Sequence, residues 1–331
     1  MSRIKRRLLL SAGAILTLPL CCLAQPAGVR RIAMLEPATF KPDSAEWREF
    51  LGSLNAAGYV EGRNIVFETR AADHRLETLP ALASELVALR PDVLVTYSTP
   101  AVAAAKGATS SIPIVFAGAG NPVGWGFVAS YARPGGNITG VTNAAPGNEP
   151  GLDGKVLELI RETLPGATRI GVLTDAADPS HARYSARIAP AAKALRFELL
   201  SVSVTRAEDL EGALLRARAQ GCDAVYVTSL NLFGIHATRL GELALKSRTP
   251  VFARSRLTSE AGGLMSLDSD AVYNWRQAGK LVTRILGGAK PKDLPVEQPD
   301  RFHLAINVKA AKAIGITIPP AILLRASKII E

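Results

Sequence analysis

Cysteine is nearly absent from the body of this 331-residue chain: two of its three cysteines are Cys21 and Cys22, and only Cys222 lies beyond them. A lone cysteine excludes an internal disulfide framework, so the fold has to stand on its core. Cys222 just precedes an apolar run and reads as a small core residue rather than a reactive thiol. Aromatics are also scarce, at 5%. The four histidines, His74, His181, His236 and His303, form no cluster with Cys or carboxylates at metal-ligand spacing, and no metal is expected. A Gly-x-Ser-x-Gly elbow and a phosphate loop are both missing. Gly118, Gly120 and Gly124 come near a dinucleotide fingerprint. Their third glycine falls one place late, however, and no acidic residue stands about 20 residues on to take a ribose hydroxyl. A tight turn into a helix accounts for them better, so no cofactor is expected. With no acid/base constellation, the chain does not read as an enzyme.

A basic stripe is lacking too. The net charge is +10, but Arg3, Lys5, Arg6 and Arg7 supply four of those charges, and the +6 that remains is scattered among acidic residues. Without interleaved aromatics this argues against a nucleic-acid partner. The one apolar run at the start, Leu8–Leu20, is too short to span a bilayer comfortably. Behind the basic Met1–Arg7 it reads as the core of a signal peptide over 1–24. Cys22-Leu23-Ala24 forms the cleavage site and Gln25 the mature start, so the expected location is the periplasm. Arg6-Arg7 leaves twin-arginine export open beside the general route. Pro19-Leu20 before Cys21 lacks the small residues of a lipoprotein site, so no lipid anchor is expected.

What is present is alternation. Arg31–Leu35, Asn64–Thr69, Asp92–Tyr97, Ile112–Ala117 and Asn137–Val141 read as strands. Helices are predicted over Ser44–Ala57, Leu76–Leu89, from Ser98-Thr99-Pro100 onward, and over Val123–Tyr131. Such alternation predicts an α/β fold with parallel sheets, in which ligands bind where strand carboxyl ends meet helix N-termini. The Pro/Gly-rich Asn143–Gly151 is the candidate crossing between domains. Beyond it the pattern restarts, with strands at Arg169–Thr174, Glu198–Val204, Asp223–Thr228 and Pro250–Ala253 and helices at Ser180–Leu195, Ala207–Gln220 and Phe233–Ser247. Arg31–Leu35 pairs with Arg169–Leu173, Asp92–Thr96 with Asp223–Thr228, and Ile112–Ala117 with Thr249–Ala253. The tail adds strands at Gly263–Leu267 and Phe302–Asn307 and helices at Ala271–Leu286, Val308–Ile314 and Pro320–Ile330. These need places in sheets already built, so the chain is expected to recross between two discontinuous lobes: 25–143 plus 268–292, and 144–267 plus 293–331.

The candidate site residues stand at the strand ends. Glu36 opens the first exit loop. Ser98-Thr99-Pro100 offers hydroxyls and free N–H groups suited to a carboxylate, and fits plain helix capping equally well. Asn121-Pro122 could hold a ligand amine or carbonyl, or simply form its turn. In the second half Asp175, Ser180, Ser229 and Asn231 occupy the equivalent places. Tyr184 lies one turn into its helix, and Arg254 ends the last strand of the repeat, where a carboxylate partner is conceivable.

These residues resemble the type I periplasmic substrate-binding proteins of ABC transporters, specifically the family with tryptophan- and tyrosine-binding members. The resemblance spans nearly all of Arg31–Glu331. It rests on Gly58–Asn64, Ser98–Ala101, Ile112–Phe116, Asn121–Gly124, Ala132–Gly140, Glu260–Ser266, Asp293–Pro299 and Ile316–Pro320. It implies two Rossmann-like lobes joined by several crossovers, closing on a small ligand. The partners it implies are that ligand and a membrane permease and ATPase; a monomer is expected. The ligand would be an amino acid, an aromatic acid or another small carboxylate, held by Ser98, Thr99 and Ala101, with Asn121 on a second polar group. Two departures stand out: Asn121 replaces the family's usual Asp, and Ala253–Arg256 is basic where an aromatic is usual. Both point to a more acidic ligand. The same fold could instead serve a ligand-sensing domain of a membrane receptor.

Overall fold

The computed structural model describes residues 28–143, 152–176, 181–228, 231–298 and 302–331, without side chains at 181–185, 187 and 231. In chain order the first half contains β1 (Arg30–Glu36), α1 (Ala45–Ala56), β2 (Ile65–Ala71), α2 (Leu79–Ala88), β3 (Val93–Thr96), α3 (Thr99–Ala108), β4 (Ile114–Ala119) and β5 (Ile138–Thr142). The second half contains α4 (Leu152–Thr163), β6 (Arg169–Asp175), α5 (His181–Ala194), β7 (Glu198–Val204), α6 (Leu210–Ala219), β8 (Ala224–Val227), α7 (Asn231–Ile235), α8 (Ala237–Lys246), β9 (Val251–Ala253), α9 (Arg256–Glu260) and β10 (Met265–Ser269). The tail adds α10 (Ala271–Leu286), β11 (Phe302–Asn307), α11 (Val308–Ile314), α12 (Pro320–Leu323) and β12 (Lys328–Ile330).

Two sheets result, in the orders β2-β1-β3-β4-β5 and β12-β11-β10-β9-β8-β6-β7. Every pairing is parallel except β10 with β11. The run β7-β6-β8-β9-β10 repeats the order of the first sheet, so the sequence repeat is a repeat of topology. The inner strands β3, β4, β8 and β9 are buried on both faces, as in helix-covered parallel sheets, while the edge strands β7 and β12 are partly exposed. In β1 the side chains alternate: Ile32 and Met34 join one core, and Ala33 and Leu35 the other.

The chain crosses between the sheets three times: between β5 and α4, from β10 into α10, and between residue 298 and β11. Helix α10 returns to the first sheet and packs along α1. Phe50 and Trp275 meet edge-on at 5.7 Å. Gly279 permits the approach, because a Cβ there would stand 2.7 Å from Ser53 Cβ and 2.9 Å from the Phe50 carbonyl. The following segment stays with the first sheet. The Thr139 hydroxyl donates to the Leu294 carbonyl at 2.8 Å. The Val296 and Glu297 N–H groups bond the Tyr131 and Gly140 carbonyls, and Leu294 and Val296 are buried in the first-sheet cores. Residues 293–298 therefore lie outside the lobe that the sequence reading assigned them to, and Asp268 and Ser269 still belong to the second sheet.

Other elements also depart from expectation. Val123–Tyr131 is a series of turns rather than a helix. Asn121 Oδ1 accepts from the Gly124 N–H at 2.8 Å, and Gly126 takes φ +68, which ends helical winding after one turn. Only Pro320–Leu323 is helical in the expected last helix; the Ser327 N–H then bonds Leu304 O, and Lys328–Ile330 extends the sheet beside β11. Phe233–Ser247 is split into α7 and α8 at His236. Helices α4 and α9 had no counterpart in the sequence reading. The crossing segment 144–151 lies outside the described residues.

Candidate functional site

In both sheets strand order reverses beside the first strand, between β1 and β3 and between β6 and β8. Ligands of doubly wound sheets settle beyond the strand carboxyl ends at such switch points. Glu36, Tyr97 and Ser98 occupy that place in the first sheet, and Asp175 and Thr228 in the second. Between the two sheets lies a cavity of about 380 Å³, lined from one side by Glu46 and Tyr97 and from the other by Val227, Thr228, Phe233, Arg254, Thr258 and Asp268. Asn143 and Ser269, on two of the crossovers, complete its floor. They are tied together: the Ser269 hydroxyl donates to Asn143 Oδ1 at 3.0 Å, and Asn274 Nδ2 donates to the same oxygen at 2.9 Å.

Three hydroxyls here are buried without a hydrogen-bond partner: Ser98 Oγ, Thr228 Oγ1 and Thr258 Oγ1. A buried hydroxyl without a partner costs about 1–3 kcal/mol, which a ligand can recover. Ser98 stands at the N-cap position of α3 but does not cap it. Its backbone, at φ +73 and ψ 152, lies in a region almost reserved for glycine, at a cost of roughly 1–3 kcal/mol. Thr99 Oγ1 accepts instead from the Gly120 N–H at 3.3 Å. Ala101 is fully buried in the core, backbone included, so it presents no surface to a ligand here. Asn121 and Pro122 form their own turn, with the Pro122 carbonyl accepting from Phe127. Ser180 and Ser229 lie outside the described residues, as do the side chains of Tyr184 and Asn231.

Arg254 lines the cavity, but its charge is already matched. Its Nη1–H donates to Asp153 Oδ1 at 2.8 Å and its Nε–H to the Leu267 carbonyl at 2.9 Å. The two side chains of the pair are only 8% and 3% exposed. The Tyr226 hydroxyl donates to the same Asp153 oxygen. The expectation of a basic, anion-seeking Ala253–Arg256 thus meets a carboxylate from within the chain. Arg256 pairs with Glu260 at 3.3 Å, and its N–H donates to Asp268 Oδ2.

Acidic groups dominate the remainder. Burial pushes the Glu36 carboxyl up to about 7, and among the described residues nothing donates to it. Burial also raises the Asp268 carboxyl, against the opposing pull of the Arg256 N–H and the Arg254 charge. The Tyr97 phenol is raised by burial, and Arg254, Asp268, Glu36 and Glu46 all act on it through their charges. Its ring stacks on Trp275 at 6.4 Å. Among the described residues no group of three or more His, Cys, Asp and Glu could hold a metal ion.

Sequence reasoning missed Tyr97 and Thr228, which it had read as the last residues of their strands, and Asp268, which it had placed just beyond the strand Gly263–Leu267. The pairing of Asp92–Thr96 with Asp223–Thr228 already marked the ends of β3 and β8 as equivalent, and that signal could have found the first two. Asp153 was out of reach because α4 had not been recognised.

The profile of the family described as ABC transporter substrate binding protein matches residues 44–330. A tyrosine-binding protein of Clostridioides difficile (strain R20291) is 27% identical over 267 residues, 81% of this chain and 75% of the relative. Among solved structures, a conserved domain protein of Vibrio cholerae superposes with a TM-score of 0.81 at 29% identity, covering 91% of this chain and 99% of the other. The ABC domain from Streptococcus pneumonia in complex with L-Trp superposes with a TM-score of 0.77 at 24% identity, covering 90% and 100%. The architecture is that of type I periplasmic binding proteins. On its sequence and its fold together, the chain belongs to the ABC transporter substrate-binding protein family.

Proposed function

We propose that this chain is the solute-capturing component of an ABC importer, exported to the periplasm and acting as a monomer without catalysis. One small molecule enters the cavity between the sheets, the lobes close over it, and the closed form hands it to a membrane permease driven by an ATPase. The observation that carries this reading is the cavity at the paired switch points, where Thr228 and Thr258 keep buried hydroxyls unsatisfied. Closure would expel water and strengthen each polar contact. Asn143, Ser269 and Asn274 lie where the lobes would hinge.

A thermal-shift screen over amino acids, aromatic acids, small carboxylates and small amines tests the reading, followed by calorimetry on each hit. A ligand bound at micromolar Kd raises the melting temperature in proportion to the logarithm of its concentration. Silence across the whole screen, together with no small molecule released on denaturing protein taken from its native periplasm, would remove solute capture.

A further inference from the structure

The charges around the cavity say which class of solute it takes, on the reading that the cleft is a solute site. Among the described residues its charged lining consists of Glu46, Arg254 and Asp268. Arg254 is neutralised by Asp153, with both side chains almost fully buried. That leaves Glu46 and Asp268 facing the cavity. An anion brought here would be desolvated beside like charges and would find its one cation already taken. A protonated amine would instead gain a charge-assisted bond to Asp268, whose carboxylate among the described residues accepts from the Arg256 N–H and has oxygen lone pairs left over.

The rest of the second-sheet side is different. Val227, Phe233, Ala253 and Leu257 make it apolar, and the unpartnered hydroxyls of Thr228 and Thr258 are set among them. These two residues are only 3% and 1% exposed. Such a wall fits an apolar body ending in an uncharged group that can both donate and accept a hydrogen bond.

We propose that the cleft selects a ligand with a single protonated amine, carried on an apolar body with an uncharged hydrogen-bonding group at its other end, over anionic and zwitterionic molecules of the same shape. The amine lies against Asp268 and Glu46, and the neutral end reaches Thr228 and Thr258.

Four probes of one shape test this by calorimetry on the mature chain: tyramine, tyrosine, 4-hydroxyphenylacetate and phenethylamine. Tyramine is expected to bind at least tenfold more tightly than tyrosine, with 4-hydroxyphenylacetate weakest. Phenethylamine, without the hydroxyl, should bind about tenfold more weakly than tyramine, and Thr258→Val should abolish that difference. Asp268→Asn should weaken tyramine at least tenfold while a melting curve shows the fold retained; Glu46→Gln, on the surface turn of α1, supplies a second variant for the same loss. Preference for tyrosine or for the acid overturns the assignment of charge and leaves solute capture standing. Failure of all four to bind also overturns it, and the wider screen then decides separately whether the cleft captures any solute.

Discussion

Replacing Asp153 with Asn removes the negative half of an ion pair that water barely reaches. The Arg254 guanidinium, with a side chain 8% exposed, then keeps its charge in the interior with a neutral amide opposite. The Tyr226 hydroxyl loses its charged acceptor in the same step. Breaking one side of a buried pair costs about 3–5 kcal/mol, because the surviving charge stays desolvated. For a folding unit of this size each kcal/mol lowers Tm by about 2–4 °C, so Asp153→Asn should melt roughly 6–20 °C below the wild type. The double variant Asp153→Leu/Arg254→Met removes both charges and should recover much of that loss. Circular-dichroism melts of the three proteins read the result, with urea midpoints as an independent scale. A single variant within 2 °C of wild type, or a double variant no better than the single, would refute the argument that Arg254 is committed to Asp153. It would also return Arg254 to the cavity as a free cation.

Three further outcomes follow from the same geometry. Ser98→Gly releases a backbone held at φ +73 and should stabilise the empty protein by about 1 kcal/mol, net of the freedom glycine gains when unfolded; a lower urea midpoint would contradict the strain. With its carboxyl held at about 7, Glu36 keeps a proton in the folded chain that the unfolded chain releases near 4.5. Stability should therefore fall by roughly 1–3 kcal/mol as pH rises from about 4.5 to 7, and Glu36→Gln should flatten that slope; urea midpoints at pH 5 and pH 8 compare the two proteins, and an unchanged slope in the variant refutes the placement. Gly279→Val drives a side chain into Ser53 and the Phe50 carbonyl and should cost about 1–3 kcal/mol or more, seen as a lower Tm; a neutral substitution would mean that α10 does not lie against α1.

Most of the fold was legible because parallel strands buried on both faces leave unbroken apolar runs. Val93–Val95 and Val225–Val227 could hardly be anything else, and their shared spacing announced the repeat. Val123–Tyr131 misled because its apolar residues fall at helical intervals, while the decisive features were Gly126 and the bond from the Gly124 N–H to Asn121. The end of the chain misled in the same way: Ile329 and Ile330 read as a helix face until a partner strand, β11, was available. The site was less legible than the fold. Ser98 was singled out from its place in Ser98-Thr99-Pro100, yet it is the unused hydroxyl and the strained backbone that set it apart, and neither shows in the letters. Arg254 was singled out for a carboxylate partner, but not with Asp153, which lies 101 positions away in sequence and is joined to it only by folding.

The most direct measurement is a crystal structure of the mature chain with the tightest ligand from the screen. Density for that ligand is expected between the sheets, with its charged nitrogen within hydrogen-bond distance of Asp268 or Glu46 and its other end on Thr228 and Thr258. Density lodged elsewhere, such as the groove between α2 and α3 lined by Leu79, Pro80 and Ala104, or a ligand carboxylate resting on Arg254 after displacing Asp153, would contradict it.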